Sequence, residues 1–383
     1  MNTTFKIPQK TTSSTSIFAV MSKMAKDYDA INLSQGFPGY PIDEKLIQLV
    51  QKYMLKGNNQ YAPMPGVIPL REAISEMHEK ASAKIYDVET EITITAGATQ
   101  GIYTAISALI NEGDEVIIFE PAYDSYVPSI ISNGGRPVFV QLKTPHYQVD
   151  WLEVNKLVNA KTKMIILNNP HNPTGAVLNE QDMKDLSKLV KGTNIIILSD
   201  EVYQHIVFDR QKHQSVASYK ELAQRSLIAG SFGKTLHATG WKCGYILAPK
   251  ELTAIFRDLH QWVVFAVNTP VQYAIAEYLK TPEHYLQVSS FLEEKRNYFL
   301  KLIKNTSFKA IPTKGTYFQL LDYSAISDKN DIDFTAWLTK EKKVASVPVS
   351  VFYHEKIDHK TIRFCFAKEN EELEKAADLL NKL

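Results

Sequence analysis

From about residue 90 the chain alternates short apolar runs with segments whose apolar side chains recur every three or four positions. Residues 91–95 read as a strand. The segment after them sets Ile102, Ala105, Ile106 and Leu109 on one stripe, the spacing a helix needs. Residues 116–119, 138–140, 164–167, 195–198 and 227–229 follow as strands. Several of these are continuous apolar runs without polar alternation, as expected of strands buried on both faces. The pattern predicts an α/β protein with a parallel sheet covered by helices. In such sheets ligands bind beyond the carboxyl ends of the strands. Four polar clusters fall there: Gly97-Ala98-Thr99, Asn168-Asn169-Pro170, Ser199-Asp200-Glu201 and Ser231-Phe-Gly-Lys234.

Past residue 280 the texture changes. Long charged helical segments at 291–304, 334–343 and 369–383 surround two short strands at 316–320 and 361–366. These predict a smaller α+β domain completed by the N-terminal segment. The expected division is 1–40 (arm and part of the small domain), 41–280 (large domain) and 281–383 (small domain). The first 16 residues are rich in Ser and Thr and hold no acidic residue. They read as an arm, mobile or packed on a partner subunit; a weak targeting signal is the other reading.

The net charge of +1 gives no electrostatic reason to expect nucleic acid or an anionic membrane surface. The apolar runs are too short to span a bilayer. With only two cysteines there is no disulfide framework and no metal-ligand spacing, so no metal site and a reducing, cytoplasmic compartment are expected. No Gly-x-Gly-x-x-Gly follows a strand, which argues against a nicotinamide dehydrogenase. A ligand-sensing half of a transcription regulator would carry a DNA-binding segment or a basic face, and neither is seen.

The chemistry concentrates around Lys234. It sits on a tight Ser/Gly turn with Lys242 eight positions on. One lysine can form an imine with an aldehyde and the other can hold a phosphate, the two groups of pyridoxal phosphate. Lys234 alone also reads as a solvated loop lysine. Asp200 ends a buried strand, where it either keeps a pyridine nitrogen protonated or caps a helix. Tyr203 reaches a ring hydroxyl or packs in the core. Asn172 lies in a loop dense in turn formers and is a candidate for the same ring oxygen. The backbone at Ala98 and Thr99 opens a helix and suits a phosphate, helped by Ser231 and Lys242; an ordinary strand–helix turn is the alternative. Tyr123 either stacks on a flat cofactor or packs in the core. Arg363 lies inside an apolar strand, where an unpaired cation is costly. Its partner is a substrate carboxylate or an internal acid.

Together these residues resemble the class I aminotransferases of fold type I, over a stretch from about Phe18 to the C-terminus. The likeness runs through Asn32-Leu-Ser-Gln-Gly-Phe-Pro38, Asn59-Gln-Tyr-Ala-Pro63, Asn168 through Gly175, Ser199-Asp-Glu-Val-Tyr203, Ser231 through Lys234, Thr239-Gly-Trp-Lys-Cys-Gly244 and Ile362-Arg-Phe-Cys-Phe-Ala367. The resemblance implies a large domain with a mixed, mostly parallel sheet, and pyridoxal phosphate as cofactor, with Lys234 as imine lysine and general acid/base. It implies Asp200 on the pyridine nitrogen and Asn172 and Tyr203 on the ring oxygen. Ala98, Thr99, Ser231 and Lys242 would hold the phosphate, and Tyr123 would stack. Arg363 would clamp the substrate carboxylate, with Asn172 and the Gly36 backbone beside it. Tyr61 would reach the phosphate of a neighbouring subunit, which implies a homodimer with shared sites. Many members carry Arg where Lys242 stands; Lys keeps the charge and loses the fork.

Within the family the resemblance is to the bacterial methionine branch and the kynurenine/glutamine branch. It implies an apolar wall of Phe18, Phe265 and Tyr317 for side chains such as those of methionine, phenylalanine or leucine. Such a pocket separates similar side chains weakly. The expected activity is ping-pong transfer of an amino group from a hydrophobic L-amino acid to a 2-oxo acid. The alternative is a kynurenine/glutamine aminotransferase with cysteine-conjugate β-lyase side activity.

Overall fold

The computed structural model describes residues 15–383. The expected N-terminal arm therefore lies outside the described residues, except for its last two positions. The first strand, β1 (Ile31–Asn32), is short. Seven strands then build the central sheet: β2 (Ile92–Thr95), β3 (Glu115–Glu120), β4 (Arg136–Gln141), β5 (Thr162–Asn168), β6 (Ile196–Asp200), β7 (Ser226–Ser231) and β8 (Gly244–Leu247). Their spatial order is β2-β8-β7-β6-β5-β3-β4. Strand β8 runs antiparallel to both of its neighbours, and the remaining pairs are parallel.

The continuous apolar runs follow from burial on both faces. Ile117, Ile165, Ile197 and Ile228 point into one core, while Ile118, Ile166, Leu198 and Leu227 point into the other. Helices cover both cores, so no face of these strands meets water. Strand β8 was not among the expected strands. Its run Tyr245-Ile-Leu is brief, and the Gly240–Gly244 motif beside it read as a ligand loop.

The chain beyond residue 300 adds β9 (Lys309–Ala310), β10 (Phe318–Asp322), β11 (Val344–Ala345), β12 (Val347–Pro348) and β13 (Thr361–Cys365). Four of these form an antiparallel sheet in the order β12-β13-β10-β9, and β11 pairs in parallel with β1. The N-terminal segment is thus stitched to the C-terminal third, with the helix Ile17–Asp27 packed against the helix Asp331–Lys342. Asp43 caps the helix Glu44–Leu55 that follows, accepting from the Lys45 N–H at 2.8 Å.

The sheet reverses its winding between β3 and β5. The carboxyl ends of β3, β5, β6 and β7 therefore open on one crevice. Among the described residues no helix is long and apolar enough to cross a membrane. Among the same residues no group of three or more His, Cys, Asp and Glu side chains could hold a metal ion.

Candidate active site

At one end of the crevice the chain leaves β2 and turns at Gly97 into the helix Ala98–Leu109. Gly97 has φ +77°, a region a side chain rarely tolerates. No side chain caps this helix, so its first N–H groups are left for another partner. The Lys242 ammonium hangs directly over the turn. A Cβ on Gly97 would lie 3.1 Å from its Nζ. Lys242 itself is held in the left-handed conformation at φ 51°. Gly244 lets β8 pass close to this end, since a Cβ there would sit 2.9 Å from the Ala98 nitrogen. Bare N–H groups, a helix dipole and a lysine make an anion cradle, and Thr99 and Ser231 line the same cavity.

The opposite end is acidic. Asp200, the last residue of β6, is buried and accepts from the Tyr126 hydroxyl at 2.5 Å and from the Val202 N–H at 3.3 Å. Burial outweighs both bonds and raises its pKa from 3.8 to about 6. No helix follows β6, which removes the capping alternative for Asp200. Its neighbour Glu201 faces away from the cavity, bonded to His213 at 2.9 Å and Ser199 at 2.8 Å. Of the acidic pair in the motif, only Asp200 lines the cavity.

Lys234 lies between the two ends, in the short helix Phe232–Thr235 after β7. Its Nζ donates to the Tyr317 hydroxyl at 3.0 Å, with the Gly36 carbonyl at 3.5 Å. Burial, with the Arg363 and Lys242 charges acting in the same direction, lowers its pKa from 10.5 to about 8. This cavity of about 180 Å³ is lined by Tyr123, Asn172 and Tyr203 as well. Asn172 is set by its own loop, its N–H donating to Asn168 Oδ1 at 2.7 Å. Asn168 in turn donates to the Asp200 carbonyl at 3.1 Å.

A second cavity of about 350 Å³ continues past Lys234 and shares Tyr123, Asn172 and Tyr203 with the first. Phe18, Gly36, Phe318 and Arg363 bound it. Arg363 is 1% exposed. It donates to Asn172 Oδ1 at 2.8 Å, reaches the Ser34 carbonyl only at 3.5 Å, and lies 3.9 Å over the Phe318 ring. No acid forms an ion pair with it at contact distance among the described residues. A guanidinium with this little protein company is suited to an incoming carboxylate.

Two of the expected wall residues, Phe265 and Tyr317, differ. Tyr61 is 81% exposed and lies outside both cavities, its ring edge-on to Phe265. Phe265, 56% exposed, is therefore no part of the wall around Phe18 within this chain. Tyr317 is buried, but its hydroxyl contacts Lys234, so it is not purely apolar lining. Tyr126 was missed as a partner of Asp200. Its only signal was its place in Tyr123-Asp-Ser-Tyr126, at the end of β3.

The fit to pyridoxal phosphate rests on this arrangement. The uncapped helix start beneath Lys242 suits a phosphate, Lys234 an aldehyde carbon, and buried Asp200 a protonated ring nitrogen.

Comparison with known proteins agrees. The sequence profile of the class I and II aminotransferases matches residues 28–380. The chain belongs to this family; it is an aminotransferase with the fold type I architecture. It is 44% identical to the methionine aminotransferase of Escherichia coli strain K12, over 99% of this chain and 97% of that one. A solved Escherichia coli structure, reported with reactivity identifying a methionine aminotransferase function, superposes with a TM-score of 0.97 at 44% identity, covering 99% of this chain and 100% of the other. The kynurenine–oxoglutarate transaminase of Dictyostelium discoideum is 33% identical over 100% of this chain and 98% of that one.

Proposed function

We propose that this aminotransferase uses pyridoxal phosphate to move the amino group of a hydrophobic L-amino acid, methionine foremost, to a 2-oxo acid by a ping-pong route. The observation that carries the chemistry is Lys234, half-buried between a buried carboxylate and a buried, largely unpaired arginine. The substrate preference rests on the 44% identity to a methionine enzyme and on the apolar lining by Phe18 and Phe318.

When bound, pyridoxal phosphate supplies an aldehyde carbon for amine exchange and a ring that accepts electron density from the substrate α-carbon. The chain supplies the rest. Ala98 and Thr99 N–H groups, Ser231 and Lys242 would hold the phosphate. Tyr123 would pack against the ring, and Asn172 and Tyr203 would bind its oxygen. Asp200 would keep a proton on the ring nitrogen. Arg363 and Asn172 fix the α-carboxylate, which orients the α-hydrogen toward Lys234. With a pKa near 8, the Lys234 amine takes and returns that proton near neutral pH.

Tyr61 completes the phosphate site of a second subunit in a homodimer with shared sites. We place the enzyme in the cytoplasm and divide it into a large domain (41–280) and a small domain formed by 1–40 and 281–383. A kynurenine or glutamine aminotransferase with β-lyase side activity is the second reading, favoured by the 33% identity to the Dictyostelium enzyme.

The test is the donor half-reaction. The protein is loaded with pyridoxal phosphate and given L-methionine without an acceptor. Loss of the visible cofactor band with one equivalent of the matching 2-oxo acid is expected. A band that persists with methionine and is lost with kynurenine overturns the methionine assignment. Release of thiol and ammonia from a cysteine conjugate as the fastest reaction supports the second reading.

A further inference from the structure

Tyr317 is the polar neighbour of Lys234. The residue is fully buried just before β10, and its backbone is pinned on both sides. Thr316 turns the chain at φ 66° and donates to the Ile206 carbonyl at 3.1 Å, and the Tyr317 carbonyl accepts from Phe366 at 3.1 Å. The ring is wedged edge-on against Tyr203 and Phe318, with centroids at 5.3 and 4.9 Å. The hydroxyl therefore has a fixed position. It lies 3.0 Å from Lys234 Nζ and 2.8 Å from the Gly36 carbonyl.

The direction of these bonds follows from the groups. A carbonyl oxygen only accepts, so the single Tyr317 proton goes to Gly36. Tyr203 is a second acceptor in reach, and it too would draw the proton away from the lysine. Burial raises the Tyr317 pKa well above 10, so the phenol keeps its proton at any working pH. The phenol oxygen then turns only lone pairs toward Nζ.

We propose that Tyr317 is a positioning residue for proton transfer: its oxygen holds one N–H of the freed Lys234 amine, and Gly36 keeps the phenol proton off the amine's own lone pair. That lone pair stays available to the substrate α-carbon. Were the phenol proton aimed at Nζ, the base would be blocked by its own neighbour. The inference rests on the proton-transfer role proposed for Lys234.

Tyr317→Phe removes the hydroxyl and keeps the ring. Cofactor uptake and thermal midpoint should match the parent. The single-turnover rate with L-methionine should fall about 10- to 100-fold, the range lost when a general base is misoriented. The isotope effect with α-deuterated donor should grow. The phenol oxygen favours the charged lysine, so its removal should move the acidic limb of the pH–rate profile to lower pH. A merely structural role would leave isotope effect and limb unchanged.

Lys234→Ala is measured alongside. Turnover persisting in Lys234→Ala sinks the aminotransferase reading at this site. A dead Lys234→Ala beside a Tyr317→Phe indistinguishable from the parent sinks only the proposal for Tyr317. If the Phe variant loses cofactor uptake, 3-fluorotyrosine at position 317 preserves shape and weakens the oxygen as an acceptor. Slowing of the half-reaction then supports the proposal, and an unchanged rate overturns it.

Discussion

Asp200 shows how a single side chain serves binding at the expense of the empty fold. Its folded pKa, about 6, lies above the unfolded value of 3.8. A group raised in this way favours folding only while protonated, and that contribution fades as pH rises from about 4 through 6. At pH 7 the buried charge costs the cofactor-free protein about 3 kcal/mol. Asp200→Asn is therefore expected to stabilise the apoprotein at pH 7 by up to that amount while nearly abolishing transamination. Urea unfolding of cofactor-free samples at pH 4 and pH 7 checks the sign: the gain should be present at pH 7 and small at pH 4.

Arg363→Lys keeps the charge and loses the fork. It should raise KM for amino donor and oxo-acid acceptor alike by about 10- to 100-fold, read by steady-state kinetics. Residue types were legible in the sequence wherever chemistry restricts the choice, as for Lys234 and for an arginine inside an apolar strand. Pairings across the fold were not. Nothing local to Tyr126 or Tyr317 says that their hydroxyls meet Asp200 and Lys234, because those contacts span 74 and 83 positions.

At the scale of elements, hydrophobic periodicity revealed the strands buried on both faces, since unbroken apolar runs are the direct result of that burial. The brief β8 was hidden by a glycine-rich motif. Its register is nevertheless what sets the anion cradle, because it brings Lys242 over Gly97. Gly97→Ala meets both a positive φ and the Lys242 side chain. The expected outcome is a loss of stability of about 1–2 kcal/mol, with weaker cofactor binding. Thermal unfolding and a pyridoxal phosphate titration check these separately. An unchanged affinity would mean that the cradle does not hold the phosphate.

Across the whole molecule, the described chain leaves Tyr61, Trp262 and Phe265 exposed at 81%, 81% and 56%. Tyr61 and Phe265 meet edge-on there, and a contiguous exposed aromatic pair suits a protein interface. Sedimentation should give twice the 43.4 kDa chain mass. Tyr61→Ala should weaken cofactor binding in that dimer without altering either cavity of its own chain. A monomer that binds cofactor at full strength would contradict the shared site. Phe265 read as a wall residue in the sequence because a linear reading does not show that it stands apart from Phe18.

The sheet order also bears on how the protein is made. Within the sheet β2 pairs only with β8, so it has no strand partner until residues 244–247 have been synthesised. A ribosome-bound chain thus carries an unpaired strand edge from the synthesis of residue 95 to that of residue 244. A nascent chain stopped before residue 240 should resist neither protease nor aggregation at β2, however much pyridoxal phosphate surrounds it.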